Sequence, residues 1–203
     1  RSKKFNNSEK YLELFKKYKI DNLTASKTYL LDIGTGYGET TIYLAQKNKN
    51  KKIIACEKYI DGNLNLIKNI KKNKINNIYL HTGNVYEILD QYKKKITFES
   101  IWIFFPDPWP KKRHFKRRLI TEKFLNYSHS FIKKNGHIYI ATDSTSYIKQ
   151  IISSIYKCRN LFEWSNQNAL HLNISDYFNI ETKFLKKAII SGRKPSLFIL
   201  KKI

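Results

Sequence analysis

The 203-residue sequence has no methionine and little cysteine, glycine or proline. Its two cysteines, Cys56 and Cys158, make no disulfide framework and have no metal-binding spacing, which is typical of a protein in a reducing compartment. We therefore predict a cytoplasmic location. Because the sequence starts at Arg1 and has no methionine, we also expect that residues precede Arg1 in the full protein.

Acidic residues are scarce as well, with 16 Asp and Glu against 39 Lys and Arg and a formal net charge of +23. This charge predicts a polyanionic partner, with nucleic acid first and an anionic membrane surface second. An AT-biased coding sequence would account for part of the lysine content. It would not enrich arginine, yet three of the six arginines lie within residues 111–118. We therefore predict a functional basic patch in that segment.

Several chemistries have no support in the sequence. No apolar run reaches 18 residues, so we predict no membrane-spanning helix and no membrane partner. The five histidines show no ligand spacing with cysteines or carboxylates, so we expect no metal. A Gly-x-Ser-x-Gly nucleophile turn is also absent.

Apolar runs and helix-like segments alternate along most of the chain. Residues 1–27 are polar and basic and are predicted to form an N-terminal arm, while residues 28–203 are predicted to form one domain. The predicted strands are residues 28–33, 52–57, 77–83, 99–106, 136–142 and 195–202. Helical patterns lie between them, and the first, residues 39–47, is expected to bury Ile42 and Ala45. This alternation predicts an α/β fold with a doubly wound, mostly parallel sheet.

The first strand ends at the glycine-rich turn "DIGTGYGET", which contains Gly34, Gly36 and Gly38. A dinucleotide fingerprint needs the spacing G-x-G-x-x-G, and here the third glycine comes one residue early. Glu39 follows it and would repel a pyrophosphate. The phosphate-binding loop pattern G-x-x-x-x-G-K-[ST] is absent too, so the turn argues against a nicotinamide dehydrogenase.

Polar side chains at the ends of three predicted strands favour a different ligand. Asp32 precedes the glycines and suits a cationic group, and S-adenosylmethionine carries an ammonium and a sulfonium but no phosphate. Glu57 ends the second strand and is placed to accept both ribose hydroxyls. Asn84 follows the third strand and is placed to hydrogen-bond the adenine edge. The order of elements resembles a class I S-adenosylmethionine-dependent methyltransferase, which implies a Rossmann-like, seven-stranded sheet.

The fourth strand runs into "FFPDPWPKKRHFKRR", residues 104–118. Three prolines fix their own φ angles and should make the loop stiff, presenting Asp107 and Trp109 in fixed directions. A rigid carboxylate beside an indole suits a flat, hydrogen-bonding base, although a proline-stapled loop whose tryptophan fills the core is the alternative. We expect the following basic residues to contact phosphates: Lys111, Arg113, Arg117 and Arg118.

This segment, together with "ATD" (141–143) and "TKF" (182–184), is similar to the signature of the tRNA (guanine-N7)-methyltransferase family. The resemblance implies transfer of a methyl group from S-adenosylmethionine to N7 of guanine 46 in the tRNA variable loop. It implies that Asp107 is the catalytic residue and that Lys111 contacts tRNA. It extends the tRNA contacts to Asp143, Thr182 and Lys183. We expect a monomer or a weak homodimer.

Some positions depart from the family pattern and leave alternatives open. Asn84 stands where the family usually has Asp, and Leu185 stands where it has the Glu of "TKFE". The usual glycine-arginine pair is displaced to Gly192 and Arg193. A non-catalytic tRNA-binding protein on a degenerate methyltransferase fold therefore remains an alternative, as does another nucleic-acid base methyltransferase. Asp143 could equally be a helix N-cap, and the segment from Thr182 a plain strand edge.

Overall fold

The computed structural model describes residues 13–20, 23–168 and 172–203. Two compact units make up the chain, an N-terminal unit (Arg1–Ile96) and a C-terminal unit (Thr97–Ile203). Residues 1–12, which form nearly half of the predicted arm, lie outside the described residues. The expected division into an arm and one domain stays a prediction.

The N-terminal unit contains three parallel strands in the order β3-β2-β1. Its elements are β1 (Tyr29–Ile33), α1 (Glu39–Lys47), β2 (Lys52–Glu57), α2 (Ile60–Lys72), β3 (Ile78–Thr82) and α3 (Val85–Gln91). Every residue of β1 is buried, as expected for a strand covered on both faces of a parallel sheet.

One stripe of each helix in this unit faces the core. The buried apolar residues of α2 are Leu66, Ile67 and Ile70, which repeat at the helical period. In α1, Ala45 is buried as predicted, but Ile42 is only half-buried and Leu44 fills the inward position instead. The sequence pattern misleads here because the start of α1 buries two threonines, Thr40 and Thr41, which shifts the inward stripe.

Part of the predicted arm lies against β3. Lys19 forms an isolated parallel bridge with Leu80, and the Leu80 N–H donates to the Tyr18 carbonyl at 2.7 Å. Ile20 is buried beside this pairing. The segment therefore covers backbone groups that an edge strand would otherwise leave unpaired.

The C-terminal unit contains four strands in the order β4-β5-β7-β6. Its elements are β4 (Phe98–Phe104), a 3₁₀ helix (Lys112–Arg117), α4 (Glu122–His129), β5 (Ile132–Thr142), α5 (Thr145–Lys157), β6 (Phe162–Trp164), a second 3₁₀ helix (Ile174–Asp176), α6 (Lys183–Ile190) and β7 (Ser196–Lys202). Strands β4 and β5 are parallel, whereas β7 runs antiparallel to β5 and β6.

The predicted fold class is confirmed: the seven strands belong to one mostly parallel sheet with helices between them. Individual elements differ from the sequence pattern. Strand β5 begins at Ile132 instead of residue 136, because its polar start, interrupted by Asn135 at φ +61°, hides the strand pattern. The three residues of β6 and the helix α6 escaped the pattern because both are short. No helix among the described residues is long and apolar enough to cross a bilayer.

Candidate functional site

The glycine-rich turn adopts backbone angles that only glycine enters readily. Gly34, Gly36 and Gly38 have φ of +74°, +54° and +85°. A Cβ on Gly38 would lie 2.6 Å from Cδ1 of Leu66, so this glycine lets α1 begin close to α2. A Cβ on Gly34 would meet nothing within 4 Å. The backbone at Gly34 therefore borders open space that a ligand can approach.

Glu57 ties the end of β2 to this turn. Its Oε2 accepts from the Gly36 N–H at 2.9 Å and its Oε1 accepts from the Tyr59 N–H at 2.8 Å. The residue is only 6% exposed. Gly62 makes room for the arrangement, because a Cβ there would lie 2.9 Å from both the Gly36 carbonyl and Glu57 Cγ. Each carboxylate oxygen keeps a lone pair for a further donor.

Asp32 is a second buried carboxylate, 2% exposed, and its Oδ2 accepts from the Thr41 hydroxyl at 2.5 Å. Burial raises the pKa of Asp32 to about 7; the Thr41 hydrogen bond opposes this shift and the charge of Glu57 adds to it. Within the described part of the chain, no Lys, Arg or His pairs with either carboxylate. Two buried acids without a basic partner form a site that suits a cation.

Thr35 is a residue of this turn that the sequence reasoning missed. Its hydroxyl is buried and has no hydrogen-bond partner among the residues that the structure describes. Unpaired buried polar atoms are rare in folded proteins, so this hydroxyl is a candidate ligand contact. The sequence could have indicated this residue, because a threonine between two glycines lies in a turn that a ligand was expected to approach.

Asn84 is exposed and is the N-cap of α3, where its Oδ1 accepts from the Tyr86 N–H at 3.1 Å. The carbonyl oxygen of the side chain is therefore engaged in capping. The side-chain NH₂ takes no part in this cap and is left as the group that could donate to a ligand. An Asp at this position would cap the helix equally well, so the departure from the family pattern changes the ligand-facing chemistry and not the fold.

The loop after β4 contains two non-glycine residues in the left-handed region, Phe105 at φ +53° and Trp109 at φ +42°. Such conformations cost energy and are concentrated at functional sites. Asp107 between them is exposed, and Trp109 is half-buried. The tryptophan therefore does not fill the core, in contrast to the alternative considered from the sequence.

The basic segment folds back onto this loop through the 3₁₀ helix. The Arg117 guanidinium lies 5.0 Å from the centroid of the Trp109 ring, and the His114 ring meets the same indole edge-on at 5.8 Å. The exposed basic residues of the segment are Lys111, Lys112, Arg113, Lys116 and Arg117. They form the exposed basic segment, defined here as residues 111–117.

Arg118 requires a correction, because it is buried with 3% exposure and is not part of that surface. Its guanidinium donates to the Pro108 carbonyl, to the Ser146 carbonyl and hydroxyl, and to Gln150 Oε1. With these donors committed to protein acceptors, Arg118 does not contact phosphates as the sequence predicted. Counting arginines along the sequence could not separate it from its exposed neighbours.

Asp143 follows β5 and accepts a hydrogen bond from Arg193 Nε at 2.6 Å. The N-cap of α5 is Ser144, so Asp143 is not the cap that the alternative interpretation proposed. Thr182 is buried and is the N-cap of α6, with its hydroxyl accepting from the Leu185 N–H at 3.0 Å. The segment from Thr182 is thus a helix start and not a strand edge.

The C-terminal unit brings several predicted site residues to one edge. Because β4 and β5 are parallel and Phe104 is in register with Ala141, the loops bearing Asp107 and Asp143 leave the same end of the sheet. The Phe184 ring at the start of α6 stacks on Phe105 at 6.2 Å, which places Lys183 near this edge as well. No cluster of three or more potential metal ligands occurs among the described residues.

Solved structures with similar folds are methyltransferases. An antibiotic-related methyltransferase has a TM-score of 0.59 at 18% identity, with 100% of this chain and 97% of that chain covered. An rRNA methylase from Streptococcus thermophilus has a TM-score of 0.57 at 14% identity, with 100% and 99% covered. SMU.776, solved with SAH, has a TM-score of 0.61 at 14% identity, with 97% and 49% covered. At these identities the similarity shows the fold, which this chain shares with these methyltransferases.

Sequence comparison defines the family more narrowly. A family model described as "Putative methyltransferase" matches residues 26–196. The tRNA (guanine-N(7)-)-methyltransferase of Mycoplasmopsis pulmonis (strain UAB CTIP) is 40% identical over 169 residues, covering 82% of this chain and 81% of the relative. That of Wolbachia pipientis wMel is 33% identical over 195 residues, covering 92% and 84%. The chain belongs to the tRNA (guanine-N7)-methyltransferase family.

Proposed function

We propose that this protein transfers a methyl group from S-adenosylmethionine to N7 of a guanine in tRNA, and that the guanine is number 46 of the variable loop. The observation that carries the proposal is the loop after β4, where the exposed Asp107 and the half-buried Trp109 adjoin five exposed basic residues. One segment thereby carries both a pair of side chains suited to binding a base and a surface suited to binding phosphates. Membership of the family supports the same reaction.

The N-terminal unit supplies groups that fit S-adenosylmethionine. Asp32 offers a buried carboxylate without a basic partner, and Thr35 offers an unpaired hydroxyl. Glu57 keeps lone pairs for the ribose hydroxyls, and the open space at Gly34 admits the ligand to the backbone. Gly36 and Gly38 shape the turn, and the Asn84 amide would donate to adenine. When bound, S-adenosylmethionine supplies an electrophilic methyl group on a sulfonium.

Guanine N7 carries an in-plane lone pair, so no residue has to remove a proton before the attack. The N7–CH₃ bond forms as the S–CH₃ bond breaks, the electron pair passes to sulfur, and the positive charge passes to the purine. Asp107 would hold guanine by its N–H donors and stabilise that developing charge. Its role is orienting and electrostatic, and positioning supplies much of the acceleration.

The tRNA backbone would lie on the exposed basic segment, where Lys111, Arg113 and Arg117 meet phosphates. Asp143, Thr182 and Lys183 would contribute further contacts, although the Thr182 hydroxyl already caps α6 and has only its remaining hydrogen-bonding capacity to offer. We expect this to be cytoplasmic tRNA modification by a monomer or a weak homodimer.

One assay tests the reaction. Unmodified tRNA is incubated with tritiated S-adenosylmethionine, and borohydride followed by aniline then cleaves the product at 7-methylguanosine. We expect incorporation and a single cut at guanine 46. Label at an exocyclic amine would favour another base methyltransferase. Retained tRNA binding without any label would favour the non-catalytic alternative.

Replacing Asp107 by Ala tests the mechanism. We expect turnover to fall at least a hundredfold, because the charge that stabilises the purine is lost, while S-adenosylmethionine affinity changes less than twofold. Asp107→Asn keeps hydrogen bonding without the charge and should have intermediate activity. Wild-type turnover in Asp107→Ala would contradict the assignment. Asp176→Ala, in the second 3₁₀ helix, is the matched control.

A further inference from the structure

Arg118 differs from the five exposed basic residues that precede it, because its guanidinium is buried and four of its five N–H groups donate to protein acceptors. Nε donates to the Pro108 carbonyl at 2.7 Å, and Nη2 donates to the Ser146 hydroxyl at 2.8 Å. Nη1 donates to the Ser146 carbonyl at 3.0 Å and to Gln150 Oε1 at 3.1 Å. One side chain thus connects the loop after β4 to the first turns of α5.

Aromatic rings hold the same group in place. The guanidinium carbon lies 3.6 Å from the centroid of the Phe115 ring and 4.9 Å from that of Tyr147. A buried charge is costly unless it is hydrogen-bonded, and here four hydrogen bonds and two rings offset that cost. A guanidinium suits this role because its planar fork reaches several acceptors at once, which a lysine ammonium cannot match in geometry.

The Pro108 carbonyl, which accepts the hydrogen bond from Arg118, belongs to the part of the loop that carries Asp107 and Trp109. Pro108 lies between Asp107 and Trp109, and its ring fixes its φ. Trp109 has a φ of +42°, a left-handed conformation that is unfavourable for a residue with a side chain and therefore needs support from its surroundings. A hydrogen bond at the Pro108 carbonyl fixes the peptide plane from which the Trp109 side chain departs.

Helix α5 is itself fixed to the chain after Arg118. The Ile120 N–H donates to the Tyr147 hydroxyl at 2.8 Å, and Gln150 Nε2 donates to the Ile120 carbonyl at 2.9 Å. Burial raises the pKa of the Tyr147 phenol to about 12, and the negative charge of Asp107 adds to that shift, so Asp107 lies within electrostatic reach of α5. Helix α5 therefore provides a fixed support against which the loop is held.

We propose that Arg118 is a positioning residue, which fixes the Asp107–Trp109 backbone against α5 so that the carboxylate and the indole receive the guanine in one geometry. The proposal rests on the proposed function for the role of Asp107. On this proposal Arg118 affects the rate of methyl transfer and does not contribute to the electrostatic attraction of tRNA.

Arg118→Lys tests this assignment, because it keeps the charge and removes the fork. We expect turnover at saturating tRNA to fall at least tenfold, with KM for tRNA and affinity for S-adenosylmethionine changed less than twofold. The salt dependence of tRNA binding should be unchanged. Arg159→Lys is the matched control and should leave turnover unchanged, since Arg159 stacks on Tyr156 and, among the described residues, its side chain donates only to the Tyr156 carbonyl.

A second measurement reports the conformation of the loop at Trp109 and does not depend on activity. The protein has three tryptophans, so 5-fluorotryptophan labelling gives three ¹⁹F resonances, and Trp109→Phe assigns one of them. In Arg118→Lys we expect the Trp109 resonance to shift or broaden while those of Trp102 and Trp164 stay in place. If Arg118→Lys does not fold, Ser146→Ala removes one acceptor from the surface of α5 and should move the Trp109 resonance in the same way, by less.

Two results would overturn the proposal. One is a raised KM for tRNA with a shallower salt dependence and normal turnover, which would make Arg118 a phosphate contact. The other is an unchanged Trp109 resonance in folded Arg118→Lys, or in Ser146→Ala where that variant replaces it. If the wild-type protein methylates nothing, the proposed function fails, and the fluorine spectra still decide whether Arg118 positions the loop.

Discussion

At the scale of residues, two buried carboxylates, Asp32 and Glu57, lie at the glycine turn of the N-terminal unit. Glu57 accepts two backbone N–H groups, whereas Asp32 accepts only the Thr41 hydroxyl among the described residues. The pKa of Asp32 is raised to about 7, chiefly by burial. Asp32 therefore changes charge near neutral pH, and a bound cation would favour its ionised form.

This makes affinity for S-adenosylmethionine dependent on pH. Because the ligand favours the ionised acid, binding should release a proton, and affinity should rise several-fold between about pH 5.5 and 7.5. Calorimetry at several pH values, in buffers of different ionisation enthalpy, measures both quantities. Asp32→Asn should bind at least tenfold more weakly and lose this pH dependence. A flat wild-type affinity across the range would contradict the assignment.

The same shift predicts how stability changes without ligand. The folded-state pKa of Asp32 lies above the ordinary value of 3.8, so the folded protein retains a proton that the unfolded chain releases. Its contribution is fully present below about pH 4 and is lost as pH rises through about 7, with roughly 1.4 kcal/mol for each unit of pKa difference. Urea denaturation should show that Asp32→Asn gains stability relative to wild type as pH rises from about 4 to about 7, with no further gain above that. Equal pH profiles would contradict this.

At the scale of elements, the glycine turn needs glycine for two different reasons, a positive φ angle and a lack of space for a side chain, and these reasons apply at different positions. Gly38 needs a positive φ and also space beside Leu66, whereas Gly34 needs only the positive φ. Gly38→Ala should cost about 2–4 kcal/mol, from backbone strain and overpacking together. Gly34→Ala should cost only about 1 kcal/mol but weaken S-adenosylmethionine binding, because its Cβ enters the open space.

Chemical denaturation and ligand calorimetry on both variants check these expectations. The control is Gly192→Ala, which has a positive φ of +68° and open space but lies in the C-terminal unit. It should lose about as much stability as Gly34→Ala and keep full cofactor affinity. A Gly34→Ala protein with wild-type affinity would show that the ligand does not approach this backbone.

Helices differ in how well the spacing of their apolar residues predicts them. Helix α3 buries Val85, Ile88 and Leu89, as its apolar spacing predicts. Helix α6 escaped the pattern because it buries only Ala188 and leaves Ile189 and Ile190 exposed. A short helix with one buried side chain has little periodicity to detect, and the segment from its N-cap, Thr182, was equally compatible with a strand edge.

At the scale of the whole molecule, the net charge of +23 raises affinity for any polyanion, so specific contacts have to be separated from general attraction. Each lost phosphate contact should reduce the slope of log affinity against log salt by about 0.7 to 0.9. Replacing Lys111, Arg113 and Arg117 by Gln should therefore reduce the slope for tRNA by about 2 to 3.

A matched variant carries the same loss of charge elsewhere. Lys71, Lys72 and Lys74 are exposed at and after the end of α2 in the N-terminal unit, and replacing them by Gln should change the slope by less than one. Fluorescence anisotropy with labelled tRNA, titrated at several salt concentrations, compares the two triple variants. Equal slopes in both would mean that the exposed basic segment attracts tRNA only through overall charge.

The sequence by itself determined the fold class, the glycine turn with Asp32 and Glu57, and the segment that carries Asp107. These features are local: buried strands are continuous apolar runs, tight turns need glycine, and prolines restrict their own backbone. Only the tertiary structure decided that Arg118 is buried while Arg117 lies over Trp109, and that Asp143 pairs with Arg193. Burial and hydrogen bonding between distant residues depend on how elements pack, and adjacent identical side chains acquire different roles for that reason.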